Sequence, residues 1–151
     1  MWKNLDDARE QILYGLGQCD VLKIADEELT FVTGCKTIEE GVQYLKKNYS
    51  ISLILVTMGK EGSRAFYKEE SVMMAPFLHP DTIETTGAGD TFCACILNYV
   101  LEHDMASLTK ENLEEMLMFA NGASSLITTR RGALKVMPEK AEVEAFILSR
   151  Q

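Results

Sequence analysis

The run Gly87-Ala88-Gly89-Asp90 places a carboxylate directly behind small residues, and an apolar stretch, Phe92 to Leu101, follows at once. Gly87, Ala88 and Gly89 let the backbone turn sharply and approach a ligand closely. The apolar stretch predicts a helix whose first turn aims unpaired N–H groups at whatever lies in front of it. Such a terminus favours anions, and a phosphate gains from both the free amides and the positive end of the helix dipole. Asp90 then has two readings. It is either an acidic residue that complements the dipole or caps the helix, or a general base that takes a proton from a hydroxyl attacking a bound phosphate. Two better-known glycine loops do not fit. The dinucleotide fingerprint needs a third glycine where Phe92 stands, and the Walker A loop ends Gly-Lys-Ser/Thr where this one ends Gly-Asp-Thr.

The surrounding elements must hold that loop in place. Asp6 to Leu16 carries Ala8, Ile12, Leu13 and Leu16 on one helical face, with Gly17 as its stop. Val21 to Ile24 reads as a strand, Asp26 to Val32 as a short helix closed by Gly34, and Thr37-Ile38-Glu39-Glu40 as a capping-box start to a helix running to Lys47. Its core face is Ile38, Val42 and Leu45. Ile51 to Thr57 is a nearly continuous apolar run, the pattern of a parallel strand covered on both faces, and strand, helix, strand in that order implies a right-handed crossover. Ser63 to Tyr67 and Ser71 to Ala75 predict a hairpin around Lys68-Glu69-Glu70. Pro76 and Pro80 break the chain before the glycine loop. The helix expected from Thr91 to Glu102 is apolar nearly all round, which predicts a central, buried element. Glu111 to Thr128 follows as a helix with an acidic first half and a small-residue second half, Ala120 to Ser125, suited to close contact. A polar loop, Thr129 to Pro138, and a closing helix, Ala141 to Leu148, complete the chain. This order defines an α/β fold with a mostly parallel sheet and helices on both faces. Ligands in such sheets bind beyond the carboxyl ends of strands, where Thr57-Met58-Gly59 and the glycine loop both fall.

Composition sets wider bounds. With 151 residues, 46% hydrophobic and 25% charged, the chain has the make-up of a single globular domain able to bury a core. A formal net charge of −8 argues against nucleic acid as a partner. An anionic substrate needs local positive charge, for which Lys60, Arg64, Arg130 and Arg131 are candidates. No apolar run approaches the roughly 18 residues of a membrane span, and no signal peptide opens the chain, so a cytoplasmic location is expected. Cys19, Cys35, Cys93 and Cys95 lack zinc-like spacing with His79 or His103 and are expected to be buried, reduced thiols.

Thr85-Thr86-Gly87-Ala88-Gly89-Asp90-Thr91-Phe92 resembles the C-terminal signature of the ribokinase-like (PfkB) carbohydrate kinases, a highly specific motif. Flanking segments agree in order and spacing: Asp20 to Lys23 with Glu27-Glu28-Leu29, Thr57 to Gly62, Phe119 to Ala123, and Thr129 to Ala133. The resemblance covers essentially the whole chain and its texture is similar to bacterial fructokinases. It implies a three-layer ribokinase-like fold and ATP-dependent phosphorylation of a sugar hydroxyl. Asp90 is then the base, and the amides of Gly87, Ala88, Gly89 and Asp90 form the anion hole. Thr57, Gly59, Gly62 and Asn121 line the nucleotide, and Glu28 arranges Mg2+ through water. Glu84 and Thr86 stand where many members hold a monovalent cation such as K+.

Departures from the family pattern accompany the match. The aspartate usual at the head of the signature is Glu84, and the asparagine often found three residues before the acidic member is Ala25. The opening Met1-Trp2-Lys3 resembles the middle of a full-length member, so residues 1–151 are expected to form a single partial domain, the C-terminal nucleotide-binding half without the sugar-binding half and its lid. Such a piece is expected to be inactive by itself, since positioning contributes about 7–11 kcal/mol to a barrier. The alternative is a non-catalytic nucleotide-binding or interaction module that retains the kinase fold. An exposed sheet edge and apolar face would favour self-association, with a homodimer the simplest form.

Overall fold

The computed structural model describes residues 3–150, so the resemblance carried by Met1 and Trp2 lies outside the described residues. The chain forms two compact units, Met1–Met58 with Ala65–Ser71, and Gly59–Arg64 with Val72–Gln151.

In the first unit, α1 (Leu5–Leu16) begins where Asn4 Oδ1 accepts the Asp7 amide at 2.7 Å. β1 (Val21–Ala25) leads directly into α2 (Asp26–Thr33), and α3 (Ile38–Asn48) leads into β2 (Leu53–Thr57). Thr37 Oγ1 caps α3 by accepting the Glu40 amide at 3.2 Å. The return arm of the expected capping box is displaced by one residue, because the Glu40 carboxylate accepts from the Lys36 amide instead of that of Thr37. β1 and β2 are parallel, in register from Val21 opposite Leu53 to Ala25 opposite Thr57. The apolar run of β2 is buried from Leu53 to Val56, as a strand covered on both faces requires. Leu29, Val32, Val42, Leu45, Ile54 and Val56 belong to one core cluster, and each fully buried aliphatic side chain contributes about 1.5–3 kcal/mol relative to exposure.

The strand order is β1-β2-β3-β4, with β3 (Ser63–Tyr67) and β4 (Glu70–Met74). Parallel crossovers need about a dozen residues. The links at 58–62 and 68–69 are too short, so β3 and β4 add antiparallel and the sheet is mixed, with its parallel pairing at β1 and β2. Lys68, at φ 48, completes the hairpin turn with Glu69 alone, so β4 starts one residue before the expected Ser71.

In the second unit, α4 (Ala88–Glu102) packs on α5 (Lys110–Ile127), which packs on α6 (Lys140–Leu148). The small-residue half of α5 makes the close approach its composition predicts. A Cβ on Gly122 would come within 2.9 Å of Ile147 Cγ1, and Ala123, Val143 and Ile147 form a core cluster with Phe77, Cys95 and Phe119 against it. Two expectations are corrected. α4 starts at Ala88, not Thr91, because the loop residues themselves supply its first turn. Nor is it buried all round: Thr91, Phe92 and Ile96 are buried, whereas Leu97 and Leu101 are 46% and 86% exposed. Among the described residues α4 is covered on one side only. All four cysteines are free thiols, and each is half-buried, not fully enclosed. Burial pushes the Cys95 thiol up to about 11.

Candidate active site

The glycine loop becomes a helix start by a specific conformational step. Gly87 is the N-cap of α4 at φ 80, in the left-handed region that glycine occupies without penalty. It also approaches the loop after α5 so closely that a Cβ would lie 3.0 Å from Ala133 Cβ. The Thr91 amide donates to the Gly87 carbonyl at 2.8 Å and closes the first turn. The Ala88 amide is taken up by a turn to the Thr85 carbonyl at 3.2 Å. Among the described residues no acceptor engages the amides of Gly87, Gly89 or Asp90. They are donors that the loop leaves unengaged. Asp90 itself is exposed, and no described side chain or backbone group bonds or pairs with its carboxylate.

The segment entering the loop is fastened to the end of α5. The amides of Ile83 and Glu84 donate to the Thr128 carbonyl at 2.8 and 3.2 Å, and Glu84 Oε1 accepts from the Gly132 amide at 2.9 Å. Glu84 therefore ties the loop to the 129–133 segment, while the neighbouring Thr86 is exposed.

Asn121 is buried, with 8% exposure. Its Oδ1 accepts from Ser63 Oγ at 2.8 Å, and its Nδ2 donates to the carbonyls of Met74 and Ala75 at 3.3 and 3.0 Å. Both amide hydrogens are thus used inside the protein. Gly59 opens a 3₁₀ turn, Gly59–Glu61, with open space where a Cβ would stand. Gly62, at φ 96, lies so close to the Met74 carbonyl oxygen that any side chain would overlap it.

Thr57 ends β2 opposite Ala25 of β1, at the carboxyl edge of the sheet in the first unit. Glu28 shares that edge as the third residue of α2. Its Oε2 accepts the Ala25 amide at 2.8 Å, which completes half of a capping box that Ala25, having no side-chain acceptor, cannot return. Glu28 is therefore more than a solvated helix residue, and one carboxylate oxygen remains outside this bond.

Of the four candidate cations, Arg130 is already committed. Its Nη2 pairs with Glu142 Oε1 at 2.8 Å and its Nη1 donates to the Val136 carbonyl. The Glu139 amide and then the Arg130 hydrogen bond hold the Glu142 carboxyl below the ordinary carboxylate range. Lys60 and Arg131 are exposed and have no partner among the described residues.

Sequence reasoning missed the supports behind the loop. Ser63, Ser124 and Thr128 each bond a segment of the candidate site, with Ser124 Oγ donating to the Ala88 carbonyl at 3.0 Å. The helical spacing of Asn121, Ser124 and the C-cap Thr128, at i, i+3 and i+7, places these three on one side of α5 but indicates no partner for any of them.

The fold is α/β, and the second unit carries a helix start with free amides and an unpaired carboxylate. Residues 1–140 match the pfkB family of carbohydrate kinases, and the chain belongs to that family. It is 33% identical over 147 residues to probable fructokinase-2 of Arabidopsis thaliana, covering 97% of this chain and 44% of the relative. It is 32% identical over 147 residues to fructokinase-1 of Zea mays, covering 97% and 45%. A Vibrio cholerae fructokinase crystallised with fructose, ADP and potassium superposes with a TM-score of 0.86 at 28% identity, covering 97% of this chain and 46% of that one. A ribokinase-type structure from E. coli, solved with ATP and Mg2+, has a TM-score of 0.81 at 19% identity over 97% of this chain and 44% of that one, which supports the fold. The chain spans about half the length, or less, of the two fructokinases from these plants and of both structures. No helix among the described residues is long and apolar enough to cross a membrane.

Proposed function

We propose that this chain is the nucleotide-side half of a cytoplasmic, ATP-dependent sugar kinase of fructokinase type, with Asp90 as the general base. One observation carries the reading: an unpaired, exposed carboxylate sits in the same helical turn as the free amides of Gly87, Gly89 and Asp90. ATP supplies the phosphoryl group when bound. Asp90 accepts the proton of the attacking sugar hydroxyl, while the free amides face the charge that builds on the transferred phosphoryl oxygens. The turn at Gly59 and Gly62 and the strand end at Thr57 border the nucleotide. Glu28 retains an oxygen for a magnesium-bound water, the mode of contact that Mg2+ favours. Glu84 and Thr86 belong to the loop expected to hold a monovalent cation.

Replacing Asp90 by alanine in the full-length protein should lower turnover with ATP and fructose by about 10²–10⁴-fold while ATP affinity changes little. Unchanged turnover would remove Asp90 from the role of base. The chain of residues 1–151 should show no robust turnover with fructose, ribose or adenosine, and robust turnover would overturn the half-enzyme reading. The diversion of Arg130 to Glu142 and of Glu28 to capping favours a second reading, a nucleotide-binding module without chemistry. In that case Asp90→Ala would leave both binding and the absence of turnover unaltered in the full-length protein.

A further inference from the structure

Asn121 and Ser124 of α5 and its C-cap Thr128 divide their work. Asn121 holds the start of β3 and the end of β4, Thr128 holds the segment entering the glycine loop, and Ser124 reaches into the loop itself. Gly122 faces Ile147 and Val143 of α6, so the close-packing face of α5 and its polar stripe are separate.

Ser124 is the consequential member. Its hydroxyl donates to the carbonyl of Ala88 at 3.0 Å. The Ala88 carbonyl and the Gly89 N–H belong to one planar, trans peptide unit, so they point in opposite directions on a rigid plate. A bond that fixes one of them fixes the other. Gly89, lacking a Cβ, gives the plate little steric restraint of its own, and its amide has no acceptor among the described residues. Ala88 is the first residue of α4, so its carbonyl also belongs to the helix's own bond ladder; among the described residues Ser124 adds the side-chain bond that reaches this plate from another element.

Resting on the phosphate reading of the loop, we propose that Ser124 is a positioning residue that aims the Gly89 amide at the phosphoryl oxygens by gripping the Ala88 carbonyl from behind. It touches no substrate. It acts by pre-orienting a donor, which is what makes fixed dipoles effective in a site of this kind. The resemblance assigned Asn121 to the nucleotide. Asn121 also holds the start of β3 and the end of β4, one turn earlier on α5.

The test uses amide spectra of residues 1–151 without ligand, comparing the parent chain with Ser124→Ala and Ser124→Thr. The expected result is a shift and broadening of the Gly89 amide signal in Ser124→Ala, unshifted Gly59 and Gly62 signals, and return of the Gly89 signal in Ser124→Thr, which restores a hydroxyl. Affinity for a non-hydrolysable ATP analogue should fall about tenfold in Ser124→Ala, the expected effect of losing one well-aligned donor to a charged group. An unmoved Gly89 signal would overturn the proposal. So would a uniform loosening of all amides that threonine fails to correct, since that is the mark of a merely structural role. If the ATP analogue failed to move any signal in the parent chain, the functional reading would fall. The Ser124 coupling to Gly89 is decided separately, by the ligand-free spectra.

Discussion

Gly87 combines two demands that favour glycine, a left-handed φ of 80 and a Cβ position 3.0 Å from Ala133 Cβ. Gly87→Ala should therefore destabilise the fold by about 1–3 kcal/mol, measurable as a lower urea midpoint at unchanged slope. It should also turn the free amides away from the phosphate and weaken ADP binding. A wild-type midpoint would show that the loop relaxes freely. Cys95 provides a pH test. Its folded pKa is raised from 9.0 to about 11 by burial, so the unfolded chain releases the proton first as pH rises. The stabilising contribution is complete below pH 9 and declines between pH 9 and 11. Cys95→Ala should flatten the loss of stability across that window, as read by denaturant titration at successive pH values.

At the scale of elements, α5 organises the second unit. Its Gly122 side accepts α6, and its polar stripe holds three segments of the candidate site. Gly122→Val should overpack against Ile147 and cost about 1–3 kcal/mol by chemical denaturation. Much of this level was legible in the sequence. Hydrophobic periodicity and caps located the six α-helices and four strands of the described residues within a few residues, because Thr37, Gly34 and Gly17 mark ends by local chemistry that needs no tertiary information. The start of α4 was missed because glycine and alanine in a first turn read as loop until the helix dipole and its closing bond from Thr91 are seen. The burial of α4 was overestimated because an apolar sequence reports what a helix can bury, not what covers it. Ser124 was invisible for a different reason: a serine hydroxyl bonding a backbone carbonyl 36 residues away leaves no local pattern.

For the molecule as a whole, a net charge of −8 favours solubility, while exposed Leu97 and Leu101 on α4 and Leu134 after the loop favour association. Leu97→Glu with Leu101→Glu should lower any sedimentation-detected self-association at high protein concentration without lowering the melting temperature. Association that persists would place the contact elsewhere. The family relation explains the fold and the loop together, and the claim that joins them is that the start of α4 receives nucleotide phosphates. Titrating residues 1–151 with a non-hydrolysable ATP analogue and magnesium while following individual amide signals tests it most directly. The account predicts saturable shifts concentrated at Gly87, Gly89 and Asp90, with smaller ones at Gly59 and Gly62, all abolished in Gly87→Val. Saturable binding that leaves the Gly87, Gly89 and Asp90 signals in place, or no binding at all, would contradict it.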